Sequence, residues 1–414
     1  MDTVRRRRFV QGVGGGLALA LAGCTDGGGE EGEGDDHDHA DHDHEDGGGE
    51  NGDEEAQAVG SEGLIYAFAP DAIGVIDPEK GVVVEELDAS GAEWGDPRIT
   101  RDHSRIFVNE GTAAQVVVID TETRTVAGEI DVGPDPVHIY NPVEGEIWSH
   151  SDAEGSFYVI DTESLEVVDV VEAGLEGEGH GKLLHHPDLD PKAYAMNVIS
   201  AAGLAIDLEE RERTEEFPLE GEGGTHYKAY APRTGLAYFE RAGDPGGTAV
   251  IDTGEDEVID TLDFGGGMYL SPAEELLGVL DGEEIHFLDA TSEGSEILAT
   301  IEVEGEPAAL RYHEGEDGFY GFTANTTTSD VSVLDLESFE EGDRIETGET
   351  EGEYRAGVTG GGYFITTADA EGTVGVVDMD SLEVAEVAVE AGVDTVQYVG
   401  ASGEEPSGVG YTSR

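Results

Sequence analysis

Thirteen histidines and a single cysteine define the metal and nucleophile chemistry open to this chain. With Cys24 alone there can be no intramolecular disulfide, no thiolate cluster and no thiol nucleophile in the body of the protein. Any metal must be held by His, Asp, Glu or water. Two groups of histidines keep suitable company. The first is the tract DDHDHADHDHED at 35–46, where His37, His39, His42 and His44 are interleaved with carboxylates. Such a strip offers many near-equivalent ligand sets, so it binds zinc loosely and exchanges it quickly. The second group is dispersed: His138 in DPVHIY, His150 in IWSHSD, His180 in GHGKLL and His226 in THYKAY, with Glu240 further on. Two or three imidazoles with a carboxylate make a shell for Zn²⁺, or for Cu²⁺, that needs no sulfur. Residues so far apart can share an ion only if the fold gathers them.

An internal repeat supplies that fold. Eight times a short β-prone run ends in an aliphatic pair, or Phe-Leu, followed by aspartate: Asp77, Asp120, Asp161, Asp207, Asp252, Asp289, Asp335 and Asp378, spaced 37 to 46 residues apart. That period fits one four-stranded propeller blade. In the unit of Asp120 the pattern predicts strands A to D at 98–101, 105–109, 115–119 and 125–131, separated by turn residues. The first unit has room for strand B (64–69) and strand C (73–76) but no strand A. After the last strand D (383–389), an A-like run appears at 395–399. The first blade is therefore expected to be closed by the C-terminus, which removes an open sheet edge. A spare strand at 408–412 is a further expectation. The fold predicted is all-β, an eight-bladed propeller over 59–414, with seven blades if the short unit ending at Asp289 is irregular. The repeated aspartates fall in C–D turns and read as turn builders.

Propeller geometry then sorts the histidines. Entries to strand A and B–C loops share one face around the central channel; A–B and C–D turns share the other. His138, His180 and His226 stand at or near the start of strand A in consecutive units and should point towards one another. His150 closes a strand B one loop outside His138, and Glu240 closes the strand B of the unit carrying His226. Lys182 and Lys228 each follow a channel histidine by two residues, in a chain with only four lysines. They could orient a carboxylate ligand, or pair with aspartates to hold the channel together. His185 and His186, in HHPDLD with Asp188 and Asp190, are expected in an A–B turn on the opposite face, as a weak secondary metal site. His103 and His313 read as solvated turn residues, and His286 as a packed or hydrogen-bonded strand residue.

Composition bounds the partners. The formal charge is −75, from 95 acidic against 20 basic residues. That balance excludes nucleic acid, whose phosphates would find no counter-charge. It resembles the carboxylate-coated proteins of halophilic archaea, kept soluble by charge and screened by salt. At 1 M ionic strength the screening length is about 3 Å, so a metal site must work by direct coordination. At the N-terminus, RRRRFVQ resembles a twin-arginine export signal, and Leu21-Ala22-Gly23-Cys24 resembles a lipobox. The intervening apolar run is shorter than the roughly 20 residues of a membrane span. The expectation is a signal peptide at 1–23, lipid attachment at Cys24, and a flexible acidic tether over 24–58, too poor in apolar residues to offset its ordering entropy. The mature protein would sit on the outer face of the cytoplasmic membrane.

The His-rich tract followed by an aliphatic-aliphatic-Asp propeller with a Gly-His-Gly-Lys element at 179–182 resembles the AztD family of extracytoplasmic zinc metallochaperones. The resemblance implies that the chain is not an enzyme but a carrier, delivering Zn²⁺ to the solute-binding protein of an ABC importer. It also implies metal binding at His138, His180 and His226, with His150 provisional. The extreme acidity and the lipid anchor depart from the bacterial members. Two rival readings are a propeller enzyme, either a metal-assisted hydrolase or lactonase or an oxidoreductase, and a cell-surface interaction scaffold. The chain has no haem-attachment CxxCH and no nucleophile motif.

Overall fold

A computed structural model describes residues 60–402 except 174–178, 220, 222, 244, 245, 317, 353 and 354. The expected leader, Cys24, the tract with His37, His39, His42 and His44, and the strand expected at 408–412 lie outside the described residues. The described residues form an eight-bladed β-propeller, each blade a four-stranded antiparallel sheet. The short unit ending at Asp289 is a complete blade, with strands Gly267–Leu270, Leu276–Asp281, Glu284–Asp289 and Ile297–Glu302.

Residue type explains each strand's place. Strand C of blade 2 (Gln115–Asp120) is aliphatic throughout its middle and buried on both sides, as befits a sheet packed between two neighbours. The outermost strands alternate: Val82–Asp88 of blade 1 is exposed and half-buried by turns. The core is divided into wedges between adjacent blades. Tyr66 and Phe68 of blade 1 pack on Ile106 and Val108 of blade 2, while Trp148 and Phe157 of blade 3 pack on Leu183 and Leu204 of blade 4. The ring is sealed by Thr395–Tyr398, which pairs with Ile65–Phe68 as the innermost strand of blade 1. Val396 and Tyr398 of that strand join a cluster with Ile365 and Val374 of blade 8.

The repeated motif is a turn device. Asp120 Oδ1 accepts from the backbone of Glu122 at 3.1 Å and Thr123 at 2.8 Å, and from the Thr123 hydroxyl at 2.9 Å. Asp161 and Asp378 repeat the pattern with serine. The residue four beyond each of these aspartates (Arg124, Leu165, Leu382) has positive φ, near 55–60°, which turns the chain into strand D. A bulge falls beside the preceding aliphatic pair, between Val118 and Ile119 in blade 2, and the strand twists there.

Candidate metal centre

Four consecutive blades supply the centre from their inner strands. Asp96 lies on Trp94–Ile99 of blade 2 and His138 on Pro136–Tyr140 of blade 3. His180 immediately precedes Gly181–Leu184 of blade 4, and His226 stands two residues before Lys228–Ala231 of blade 5. The first two strands are bulged, at 94–97 and 136–139, beside the residues that matter. They also approach unusually closely, because a Cβ on Gly95 would meet the Val137 carbonyl oxygen at 2.4 Å. That approach carries Asp96 to His138.

Three imidazole Nε2 atoms converge. His138 Nε2 is 2.8 Å from His180 Nε2, which is 3.2 Å from His226 Nε2. Among the described residues this is the one set of three such side chains with ligand atoms within 4.8 Å of one another. Carboxylates hold two of the rings from behind. Asp96 Oδ2 lies 2.9 Å from His138 Nδ1, and Asp152 Oδ2 lies 2.6 Å from His180 Nδ1. A carboxylate at that distance requires the proton on Nδ1, which leaves the Nε2 lone pairs of both rings facing inward. Two lone pairs 2.8 Å apart repel unless a cation lies between them. Protonation of His138 is disfavoured: burial and the Lys182 ammonium push its pKa well below its ordinary value, against the opposing pull of Asp96. Burial, then Lys182, does the same to His226. A divalent ion would resolve the conflict. Zinc–nitrogen bonds of about 2.0–2.1 Å place tetrahedral nitrogens roughly 3.3 Å apart, close to the spacing present.

The third ring is held differently. His226 stacks on His180 at 14° between planes and meets Tyr227 edge-on. Its backbone is fixed by Glu240, whose Oε2 accepts from the Tyr227 N–H at 3.2 Å. Burial pushes the Glu240 carboxyl up, and bonds from the Tyr227 and His226 backbone draw it back. Glu240 is thus engaged with the His226 backbone and does not join the Nε2 cluster. His150 also stands apart from the trio. Its Nδ1 meets Asp152 Oδ1 at 2.8 Å, so one carboxylate bridges two imidazoles. Its Nε2 abuts Gly181, where a Cβ would lie 2.2 Å away. Burial pushes Asp152 up, but the bonds from His150 and His180 outweigh it and hold the carboxyl well below the usual range. Asp96 and Asp152 were not singled out from the sequence; an acidic residue on strand A, or just past a strand B ending in histidine, was the available signal.

Below the trio lies a charged layer. Lys182 and Lys228 are each 1% exposed. Lys182 Nζ is 3.3 Å from His138 Nδ1. Lys228 Nζ and the Arg98 guanidinium lie 5.6 and 5.8 Å from the Tyr140 ring centre.

The remaining histidines include four corrections, at His185, His186, His103 and His313. His185 and His186 are buried rather than offered to solvent as a weak metal site. His186 caps the turn Pro187–Leu189, its Nδ1 accepting from the Asp188 N–H at 3.0 Å. His185 packs edge-on to Tyr140, and burial with nearby Arg98 and Lys228 lowers its pKa to about 3. His103 is buried too, because its Nδ1 accepts from the Gly400 N–H at 2.9 Å, pinning the chain beyond the closing strand to blade 2. His313 lies within strand Pro307–Gly315, with Nε2 at 2.8 Å from Asp380. His286 is a hydrogen-bonded strand residue as expected, with Nδ1 at 2.9 Å from Thr300.

No protein-family model matches the chain, and no curated protein matches it in sequence. Solved structures do match in shape. Dihydro-heme d1 dehydrogenase NirN in complex with DHE aligns at TM-score 0.67 and 14% identity, over 82% of this chain and 76% of that one. Apo AztD from Citrobacter koseri aligns at 0.60 and 13%, over 80% and 96%. Kuenenia stuttgartiensis hydrazine synthase aligns at 0.51 and 14%, over 72% and 95%. The likeness is one of fold.

Proposed function

We propose that this protein captures and delivers a divalent metal, Zn²⁺ foremost with Cu²⁺ as an alternative, outside the cytoplasm. The observation that carries the reading is the inward convergence of three Nε2 atoms, two of them with carboxylates on the opposite nitrogen. Carboxylate-backed histidine is the arrangement that fixes ring orientation and raises donor strength in metal sites. The ion is cargo: the tract at 35–46 collects it, the trio holds it more tightly, and a docked solute-binding protein of an ABC importer removes it by ligand exchange. The resemblance to AztD and the propeller shared with it support this direction. Lipid attachment at Cys24 would keep the carrier at the outer face of the membrane, beside the importer. Calorimetric titration of the mature chain in molar salt, with and without residues 35–46, tests the reading. Zinc affinity no tighter than that of the isolated tract peptide would defeat it.

One observation favours a rival. Three protein ligands leave a fourth position at which a metal could activate water. Turnover of ester or lactone substrates that is lost with His138, His180 and His226 would favour a hydrolase. Stoichiometric zinc without turnover favours the carrier.

A further inference from the structure

We propose that Lys182 and Lys228 lower the grip of the imidazole trio on a divalent ion, making it a centre built for release; this rests on the metal reading above. The chain has four lysines, and these two are each 1% exposed in the channel. Full burial of lysine is rare because the ammonium loses its hydration. Each lies two residues after a histidine of the trio, and Lys182 reaches the His138 ring of the neighbouring blade.

The contact at His138 shows how the effect is exerted. Its Nδ1 has Asp96 Oδ2 at 2.9 Å and Lys182 Nζ at 3.3 Å. With its Nδ1–H directed at the carboxylate, the ring is strengthened as a donor at Nε2 by Asp96 and weakened there through space by the charge of the nearby Lys182 ammonium. Lys228 extends the positive layer, sharing the Tyr140 ring with Arg98. A dication entering above this layer meets like charge in an interior that salt screens poorly. If holding the channel together were the only requirement, neutral hydrogen-bonding or apolar side chains would serve there without this repulsion. A carrier has a use for the repulsion, since affinity must stay below that of its acceptor.

The test compares the full chain with Lys182→Met, Lys228→Met, Lys182→Gln and Lys182→Arg, using a chromogenic chelator in competition for Zn²⁺ and the visible absorption of bound Co²⁺. The expected result is affinity higher by roughly 10- to 100-fold in the neutral variants, the range over which outer contacts move metal sites. Zinc release should slow in step, the Arg variant should stay near the parent, and the gain should persist from 0.2 to 2 M KCl. Equal or weaker binding by Met and Gln variants that melt at or above the parent temperature overturns the proposal alone. Parent and His138→Ala/His180→Ala/His226→Ala chains binding alike would overturn the metal reading, and this inference with it.

Discussion

Replacing Asp152 by Asn tests how the centre is held. The carboxylate accepts from two imidazoles at once, at 2.8 Å from His150 and 2.6 Å from His180. The amide offers one oxygen acceptor, and its NH₂ must face the other Nδ1–H, two donors pointed at each other. His150 is 1% exposed and cannot turn away, because its far edge abuts Gly181. The oxygen therefore serves His150, and His180 loses its anchor. Losing one charge-assisted, largely buried bond costs about 1.5–3 kcal/mol of stability. Freeing the His180 ring lowers metal affinity by roughly 10- to 100-fold, or about 1.4–2.7 kcal/mol. Chelator competition reads the affinity and thermal melting of the metal-free chain reads the stability, with Asp102→Asn, on the far-face turn, as control. An Asp152→Asn chain with parental zinc affinity and parental melting temperature would refute the assignment of Asp152 as the clamp between the two histidines.

Gly181→Ala should destabilise by about 1–3 kcal/mol and weaken zinc binding, because its Cβ would lie 2.2 Å from His150 Nε2. Adding His150→Ala should recover part of the melting temperature, a non-additivity that independent sites would not show. Asp120→Ala should cost about 1–2 kcal/mol through its turn bonds while zinc affinity stays parental, since the aspartate lies on the opposite face. With a formal charge of −75, the melting temperature should rise steeply between 0.1 and 1 M KCl, as the screening length falls from about 10 to 3 Å. A flat salt profile would contradict self-repulsion as the dominant surface term.

The blade plan was legible because one local device recurs. An aliphatic pair, or Phe-Leu in one blade, and a turn-building aspartate mark the end of every strand C, and the run at 395–399 supplies the strand that the first unit lacks. Placing His138, His180 and His226 at strand A entries followed from that plan alone. The partners did not. Asp96 and Asp152 are two of 95 acidic residues; picking out the first needs the bulges at 94–97 and 136–139 beside it and His138, and the second lies just past the end of strand Glu146–Ser151. His150 and Glu240 were expected as ligands because they share the trio's face. Face alone does not say where a ring nitrogen or carboxylate oxygen points, and both turn to neighbouring supports. His103, His185 and His186 were read as surface residues from their place in turns. Each is buried by a tertiary contact that turn chemistry cannot foresee: the Gly400 amide for the first, the Tyr140 and Tyr230 rings for the others.

The central claim is that one divalent ion is shared by His138, His180 and His226. A crystal of the zinc-loaded protein, measured on both sides of the zinc absorption edge, tests it most directly. The account predicts a single strong anomalous peak in the propeller, about 2.0–2.1 Å from all three Nε2 atoms and missing when the three are replaced by alanine. Zinc held elsewhere in the propeller, or a trio that stays metal-free at saturating zinc, would contradict it.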